Sequence, residues 1–402
     1  MSRLEKGLAA IAFALWSVLL VGMGYAGHMV LAPAEAHTIR VQGDHSLPLL
    51  DEAWGHVRAH FIGTLPSDTL RNYGAVRGAL TTLNDPYTTF IDPQQRAVER
   101  DHMRGQFGGI GVSFRQNERG EIVLTPTPDG PAAKAGVRDG DILFSVDGEA
   151  LPAAAELEVV SRIRGQVGTP VTIEVLRGPE RQRLRFTIVR QMIEISSVTW
   201  RTITSTSAGR LFTIGYLKIA SFTERTGAEV QRAVSSLLEA GAQAFLIDLR
   251  DNGGGSLSAA VEAASTFLKD GVVAFEVRRA QPETEHRTRS VPVKVEESQP
   301  VVILVNNNTA SAAEVMAAAL RDHQRGQLVG VKTFGKGSVQ LIFELSDGSA
   351  VRVTAAKWLT PARQALDGAG LTPDIEVAGS SAEQEARAVE VLRTAIADRA
   401  LK

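Results

Sequence analysis

The chain has 402 residues, 44% of them hydrophobic and 22% charged, a composition typical of a globular protein with roughly two or three domains. Its net charge is −2 and it contains no concentrated basic run, so the sequence predicts no nucleic-acid partner. Because the chain has no cysteine, disulfides, thiol catalysis and cysteine-ligated zinc are excluded.

The first feature along the chain is an uncharged, mostly apolar run, Leu8–Ala32. It is longer than the about 20 residues that a bilayer-spanning helix needs. Two basic residues precede the run and the next is Arg40, so residues 1–32 are predicted to form a single-pass anchor in the cell membrane, with the rest of the chain on the extracytoplasmic side. The alanine-rich segment 32–36 has the pattern of a signal-peptidase site, which leaves a cleaved signal peptide open as the alternative.

A polar linker, residues 33–49, leads into a predicted helical segment, residues 50–98. Within it, Leu50–Leu83 has the pattern of two helices joined by a Gly-Thr-Leu-Pro turn. His56 and His60 have the spacing of a metal-binding pair, but no glutamate follows His56 and no third ligand is evident. We therefore interpret them as ordinary helix residues and predict no metal.

The pattern of strands, helices and turn residues changes twice after this segment. Residues 99–191 alternate short strands with glycine turns, which predicts a compact β-rich domain containing one helix, Glu156–Arg164. Residues 192–402 alternate strands and helices, which predicts an α/β sandwich domain. The fold class is therefore a multidomain mixture of α/β and α+β. The alternating elements of the second domain are Phe212–Ile219, Thr226–Ala240, Ala244–Leu249, Leu257–Leu268, Val301–Val305 and Ala310–Leu320.

The α/β domain contains a serine at a chemically useful position. A buried strand, Val301–Val305, is followed by a short polar turn and the helix Ala310–Leu320, so Ser311 lies in the first helical turn. Backbone N–H groups there lack intrahelical partners, and the helix dipole favours negative charge. The alternative interpretation is structural, because Ser311 and Glu314 match a capping box that only stabilises the end of a helix.

A lysine follows between two glycines, at the entry to another strand. If Lys336 belongs to that strand, Gln340 points to the same side and its amide can hold the amine. A lysine acts as a general base only when neutral, which requires burial or a nearby cation. The run 330–336 also matches the front of a phosphate-binding Walker loop, but Gly337 replaces the metal-binding hydroxyl, so no nucleotide is predicted.

Two boxes of residues now match a known family. Thr309–Glu314 reads TASAAE and Thr333–Gln340 reads TFGKGSVQ. In both boxes the chain resembles the carboxyl-terminal processing peptidases, also called tail-specific proteases. By that resemblance Ser311 is the nucleophile, Lys336 is the general base, and Gln340 orients the lysine.

The same resemblance extends to a glycine turn. Taken alone, Asp248–Gly255, which reads DLRDNGGG, is an ordinary loop between a strand and a helix. In the family the matching segment supplies a glycine N–H beside the nucleophile. By resemblance Gly254, or else Gly255, would donate together with the Ala312 N–H to the oxyanion.

The β-rich domain resembles a PDZ domain, through the GGIGV run 108–112 together with the Gly-Pro segment 130–137 and the Gly-Asp hairpin 140–148. By that resemblance four residues receive the C-terminus of a peptide: Gly109, Ile110, Gly111 and Val112. The side chains expected to line an apolar pocket for the tail are Ile110, Val112, Leu157 and Val160.

Together these resemblances imply a membrane-anchored serine endopeptidase that binds protein or peptide substrates with free C-termini and cleaves them near that end. They imply no cofactor and leave the oligomeric state open. The alternative from another class is a catalytically silent PDZ adaptor, in which Ser311 is only a helix cap.

Overall fold

The computed structural model describes residues 47–151, 156–207 and 210–400. The chain divides into two compact units, one ending at Ser67 and one beginning at Asp68. The described part of the first unit contains helix α1 (Pro48–His60), which starts with proline and ends with Arg58 and His60 in its last turn. No helix in the described part of the chain is long and apolar enough to cross a membrane, and the predicted anchor, residues 1–32, lies outside that part.

The second unit opens with helix α2 (Asp68–Thr81), strand β1 (Thr89–Ile91) and helix α3 (Pro93–Arg104). The two helices predicted before residue 83 are therefore present as α1 and α2, whereas α3 was not predicted. Helix α3 begins where the Asp92 carboxylate accepts a 2.8 Å hydrogen bond from the Gln95 N–H. It ends at Gly105, which has the left-handed φ of 68° that terminates helices.

The β-rich part consists of β2 (Gln106–Gly109), β3 (Val112–Gln116), β4 (Ile122–Pro126), α4 (Pro131–Ala135), β5 (Ile142–Val146), β6 (Glu149–Ala150), α5 (Glu156–Ile163), β7 (Pro170–Arg177), β8 (Gln182–Val189) and β9 (Gln191–Glu194). Its strands form an antiparallel sheet in the order β3-β4-β5-β7-β8, with β6 on β5. Leu124 and Ile173 are fully buried in its core. Strand β3 is the edge of this sheet, and β2 pairs with β9 in a separate ladder.

The remaining elements form the α/β domain, where strands and helices alternate as the sequence predicts. They are β10 (Val198–Ser207), β11 (Arg210–Ile219), α6 (Thr226–Glu239), β12 (Ala242–Asp248), α7 (Leu257–Ser265), β13 (Val272–Arg278), β14 (Thr284–Arg287), β15 (Val301–Val305), α8 (Ala312–Asp322), β16 (Gly326–Gly330), β17 (Ser338–Glu344), β18 (Ala350–Leu359), β19 (Ile375–Glu376) and α9 (Ser381–Ala400).

The main sheet of this domain has the order β10-β11-β12-β15-β16-β19 and is parallel from β11 onward. Alternate residues of its strands face opposite sides, as the pleat requires. Phe245 and Ile303 pack into the core with α6, α7 and α8, while Leu246 and Val302 pack with α9. Because β12 and β15 are parallel neighbours, the loops that follow them leave the sheet at the same edge.

A second, antiparallel sheet has the order β1-β18-β13-β14, and β17 also pairs with β18. Strand β1 belongs to the segment before the β-rich domain, yet it pairs with β18, with Phe90 opposite Val351. A strand from before the β-rich domain therefore completes a sheet whose other strands come after that domain. As a result, the loop before β17 lies close to residues that precede β1.

Candidate active site

Ser311 has an unusual backbone conformation at the start of α8, with φ 57° and ψ −122°. A non-glycine residue at positive φ costs on the order of 1–3 kcal/mol, and such residues persist only where their surroundings determine the conformation. Here the surroundings are the helix itself, whose residues from Ala312 to Leu320 are all buried. Backbone strain of this kind is concentrated at functional sites.

The N–H groups at the start of α8 differ in whether they have a hydrogen-bond acceptor. The Ala313 N–H donates to the Ala310 carbonyl at 3.1 Å, and the Val315 N–H donates to the Ser311 carbonyl at 3.0 Å. The Ala312 N–H has no acceptor within the described part of the chain. An orphan donor thus follows the serine directly, where a negatively charged oxygen could accept from it.

Glu314 is the structural centre of the site, because its fully buried carboxylate accepts four hydrogen bonds. Oε2 accepts from the Ser311 N–H and from the Lys336 N–H, both at 2.9 Å. Oε1 accepts from the Thr333 hydroxyl at 2.5 Å and the Gly335 N–H at 2.8 Å. The carboxylate therefore joins the loop of the serine to the loop of the lysine.

The sequence interpretation gave Glu314 no role beyond a possible helix cap, so this function was missed. A signal was present, because Glu314 is the one charged residue in the apolar run Ala310–Leu320. Charged residues are almost never fully buried unless they are paired or hydrogen-bonded. An acid on the buried face of a helix therefore indicates a cluster of donors around it.

Lys336 lies in the loop before β17 and is partly buried. Its Nζ atom lies 4.9 Å from the centroid of the Tyr87 ring. Burial lowers the pKa of the Lys336 amine, the nearby Arg352 guanidinium lowers it further, and Glu99 acts in the opposite direction. Within the described chain, no hydrogen bond joins this amine to the Ser311 hydroxyl.

The expectation that Lys336 and Gln340 share one face assumed a continuous strand between them, and the structure does not show one. Strand β17 begins only at Ser338, and its ladder with β18 shifts register between Val339 and Gln340. Both features break the two-residue alternation on which the expectation depended. The Gln340 amide nitrogen instead donates to the Ser338 hydroxyl at 2.9 Å and approaches the Thr354 hydroxyl at 3.5 Å.

The glycine loop after β12 packs directly against the serine. A Cβ on Gly254, which has φ +100°, would lie 2.8 Å from the Ser311 Cβ and 3.1 Å from the Ala312 nitrogen. Only glycine permits this approach. The Gly254 N–H, however, donates to the Asn252 side-chain oxygen at 2.8 Å, whereas the Gly255 N–H has no acceptor among the residues that the structure describes.

A buried ion pair holds the start of this loop. Two nitrogens of the Arg250 guanidinium donate to the two carboxylate oxygens of Asp248, at 2.6 and 2.9 Å. The Tyr216 hydroxyl donates to the same carboxylate at 2.6 Å, and burial together with this hydrogen bond raises the pKa of Tyr216. Arg250 also donates to the Ser381 carbonyl and so ties the loop to α9.

The glycine run before β3 contains backbone donors without partners. The N–H groups of Ile110 and Gly111 have no acceptor in the described ranges, and Gly111 adopts φ 68°. The side chain of Ile110 is only 1% exposed and belongs to the domain core, so it does not line a pocket as expected. Val112 is partly exposed on the edge strand, and the side chain of Leu157 lies outside the described residues.

A strained serine at a helix N-terminus, beside a glycine loop at the carboxyl edge of a parallel sheet, defines the larger domain as that of a serine peptidase. The sheet with the open β3 edge defines the smaller one as a PDZ domain. Comparison with family models gives the same result. The model of Peptidase family S41 matches residues 213–377, and the PDZ domain model matches residues 108–188.

Known proteins place the chain more closely. It is 34% identical to a carboxy-terminal-processing protease of Bartonella bacilliformis, over 80% of this chain and 72% of that protein. It is 34% identical to a chloroplastic C-terminal processing peptidase of Tetradesmus obliquus, over 81% and 72%. It is 33% identical to a carboxyl-terminal-processing protease of a Synechocystis species, over 81% and 76%. The chain belongs to the family of carboxyl-terminal processing peptidases.

Proposed function

We propose that the protein cleaves substrate proteins near their C-termini with a Ser311–Lys336 dyad, and that the PDZ domain recognises the tail. The observation that carries the proposal is the Glu314 carboxylate, which accepts the backbone N–H of both dyad residues at 2.9 Å. A helix cap needs only the first of these hydrogen bonds. The second also holds the backbone of Lys336 in register with the serine, as a dyad requires.

In the reaction, the neutral Lys336 amine takes the proton of the Ser311 hydroxyl as that oxygen attacks the scissile carbonyl carbon. When the tetrahedral intermediate collapses, the C–N bond breaks and the Lys336 ammonium returns the proton to the leaving amine. Water then attacks the acyl-enzyme with the same lysine as general base. For this transfer the amine, which contacts the Tyr87 ring and makes no hydrogen bond to Ser311 in the described chain, must come within hydrogen-bond distance of the hydroxyl.

Gln340 can guide this movement of the lysine. Its side-chain nitrogen is occupied by Ser338 and Thr354, which directs the amide and leaves the carbonyl oxygen as an acceptor. That oxygen accepts a hydrogen bond from the Lys336 amine during the reaction. Gln340 therefore orients the base without exchanging a proton itself.

The oxyanion is stabilised by the orphan Ala312 N–H together with one N–H of the glycine loop. Gly254 can serve only after its N–H leaves the Asn252 side chain. Gly255 has an N–H without an acceptor in the described part of the chain and is the competing donor. Gly254 contributes in either case, because its missing side chain gives the substrate carbonyl room beside Ser311.

The dyad is tested by Ser311→Ala and Lys336→Ala, each of which should lower kcat by at least about 10³-fold while leaving the fold intact. The double variant should be no worse than either single one, because the two residues act as a unit. Gln340→Ala should keep weak activity. Lys332→Ala is the matched control, because Lys332 is an exposed lysine four positions earlier in the same loop.

Unchanged turnover in Lys336→Ala would disprove the dyad. A serine-directed acylating reagent gives an independent measurement, since it should label Ser311 only in the protein that retains Lys336. A wild-type protein that binds C-terminal peptides without cleaving any would instead support the silent adaptor.

The PDZ domain is proposed to bind the substrate tail by adding it to the open edge of β3, with the terminal carboxylate at the amides of residues 109–112. Two substrates that differ only in a free or amidated C-terminus should differ in kcat/KM. Gly111→Trp should remove that difference, because a bulky side chain would fill the turn. Gly178→Trp is the control, since Gly178 has nearly the same φ, 69° against 68°, but open space around it. Equal cleavage of both substrates would exclude tail recognition.

We also propose that residues 1–32 anchor the peptidase in the cell membrane, with its catalytic domain outside the cytoplasm. The support is the uncharged length of Leu8–Ala32 and the basic residues before it. Washing membranes with carbonate or high salt should leave the full-length protein bound. A soluble mature protein that begins near His37 would show a cleaved signal peptide instead.

A further inference from the structure

The resting position of the Lys336 amine is defined by an aromatic ring. Its Nζ atom lies 4.9 Å from the centroid of the Tyr87 ring, within the about 6 Å at which a ring attracts a cation. Within the described chain, the amine makes no hydrogen bond to any residue. The ring is therefore its main specific contact. Because the negative face of a ring attracts an ammonium but not a neutral amine, this contact favours the protonated lysine.

Tyr87 is held firmly in place by its neighbours in the loop before β1. The Asp85 carboxylate accepts the Tyr87 N–H at 3.1 Å and the Thr88 hydroxyl at 2.5 Å. The Thr88 hydroxyl oxygen accepts the N–H of Thr354 on β18 at 3.1 Å. Strand β1 then continues the pairing with β18, so the backbone that carries the ring is fixed to the sheet that also carries β17 and Gln340.

We propose that Tyr87 is a positioning residue that holds the amine of Lys336 on its aromatic face in the free enzyme, without a hydrogen bond to the Ser311 hydroxyl. The proposal rests on the proposed role of Lys336 as general base. Substrate binding and proton loss release the amine, which then turns to Ser311. The tyrosine thus sets how readily the free enzyme supplies its base, without touching the reacting atoms.

Other charged groups face the same amine and must be kept constant in a test. Arg352 reaches it from β18 and Glu99 from α3, and these two form an ion pair with each other. The Glu314 carboxylate is bound to the backbone N–H of Lys336. None of these groups contacts the Tyr87 side chain through a hydrogen bond in the described residues, so a change of the ring isolates its own contribution.

The test compares Tyr87→Phe, Tyr87→Leu and Tyr87→Trp by the pH dependence of both kcat/KM and kcat. The acid limb of kcat/KM reports the free enzyme, in which the ring holds the amine, whereas that of kcat reports the complex, in which the ring has released it. Tyr87→Leu should move the kcat/KM limb to lower pH by about half a unit, because the ammonium loses its partner. Tyr87→Trp should move it to higher pH, and Tyr87→Phe should retain the wild-type position.

In all three variants the acid limb of kcat should stay in place. A kcat/KM limb that is the same in the leucine variant as in the wild type would overturn the proposal. A phenylalanine variant that behaves like the leucine variant would overturn it as well, since the effect would then belong to the hydroxyl. If thermal unfolding shows that the leucine variant does not fold, identical limbs in the phenylalanine and tryptophan variants decide against the ring. Full activity of Lys336→Ala would instead refute the dyad, so the two failures are distinguishable.

Discussion

The loops that carry Ser311 and Lys336 are bound to the same buried carboxylate but differ in how far their side chains are constrained. At Ser311 the strained backbone, the buried helix and the glycine loop determine the position of Cβ closely. At Lys336 the backbone N–H is equally well bound, at 2.9 Å from Glu314. Its long side chain, however, ends on the face of a ring and not in a hydrogen bond to the nucleophile.

This difference matches two requirements of the proposed reaction. The nucleophile must be in place before the substrate arrives, and backbone contacts achieve this because they lose little entropy when the substrate binds. A general base must exchange a proton during each turnover, so a permanent hydrogen bond on the proposed base Lys336 would hinder it. Two well-bound backbones and one amine without a hydrogen bond satisfy both requirements.

Removal of the shared carboxylate should have the largest effect. Glu314→Ala leaves two buried and two partly buried donors without their acceptor, so we expect the free energy of unfolding to fall by at least about 3 kcal/mol. Cleavage should fall below detection even where the variant remains folded. Chemical denaturation measures the first effect and peptide hydrolysis the second.

Glu297→Ala is the control for this prediction, because Glu297 is an exposed glutamate of the same domain. Its substitution should change stability by less than about 0.5 kcal/mol. A Glu314→Ala variant as stable and active as this control would contradict the idea that one carboxylate holds both loops.

The next prediction concerns only Ser311 and the glycine loop beside it. In Gly254→Ala the new methyl group would lie 2.8 Å from the Ser311 Cβ, so the serine or the glycine loop must shift. We expect kcat to fall about 10²–10³-fold, the loss typical of a damaged oxyanion site. Gly253→Ala is the matched control, because a Cβ there meets no atom within 4 Å. Equal kcat values in the two variants would show that the close approach is dispensable.

The smallest expected effect concerns the charges around the Lys336 amine. Arg352 lowers the pKa of Lys336, so Arg352→Met should raise that pKa and move the acid limb of kcat/KM to higher pH. Glu99 has the opposite influence, so Glu99→Gln should move the limb to lower pH. Each shift should stay below about one unit, because both side chains are partly solvated. Shifts in the same direction in both variants would show that neither charge acts on the lysine directly.

The sequence alone determined the elements of the site and the family of the chain. The strand Val301–Val305 has the bounds that its β-branched run predicts, and α8 follows it as expected. Local periodicity is sufficient for such elements, because burial on one face and backbone propensity depend on near neighbours in the chain. The two boxes that contain Ser311 and Lys336 are likewise short, contiguous and readable without a fold.

The tertiary structure decided the contacts between segments that lie far apart in the chain. Tyr87 meets Lys336 only because β1 pairs with β18, and no local pattern encodes that pairing. The direction of the Gly254 N–H depends on its φ and on the Asn252 side chain, so the sequence could name the residue but not its bonding. The two-residue alternation of a strand did not apply between Lys336 and Gln340, because a turn and a register shift interrupt the strand there. Residue types and spacings carry local chemistry, whereas proton donors, acceptors and charges acquire their partners only when the chain folds back on itself.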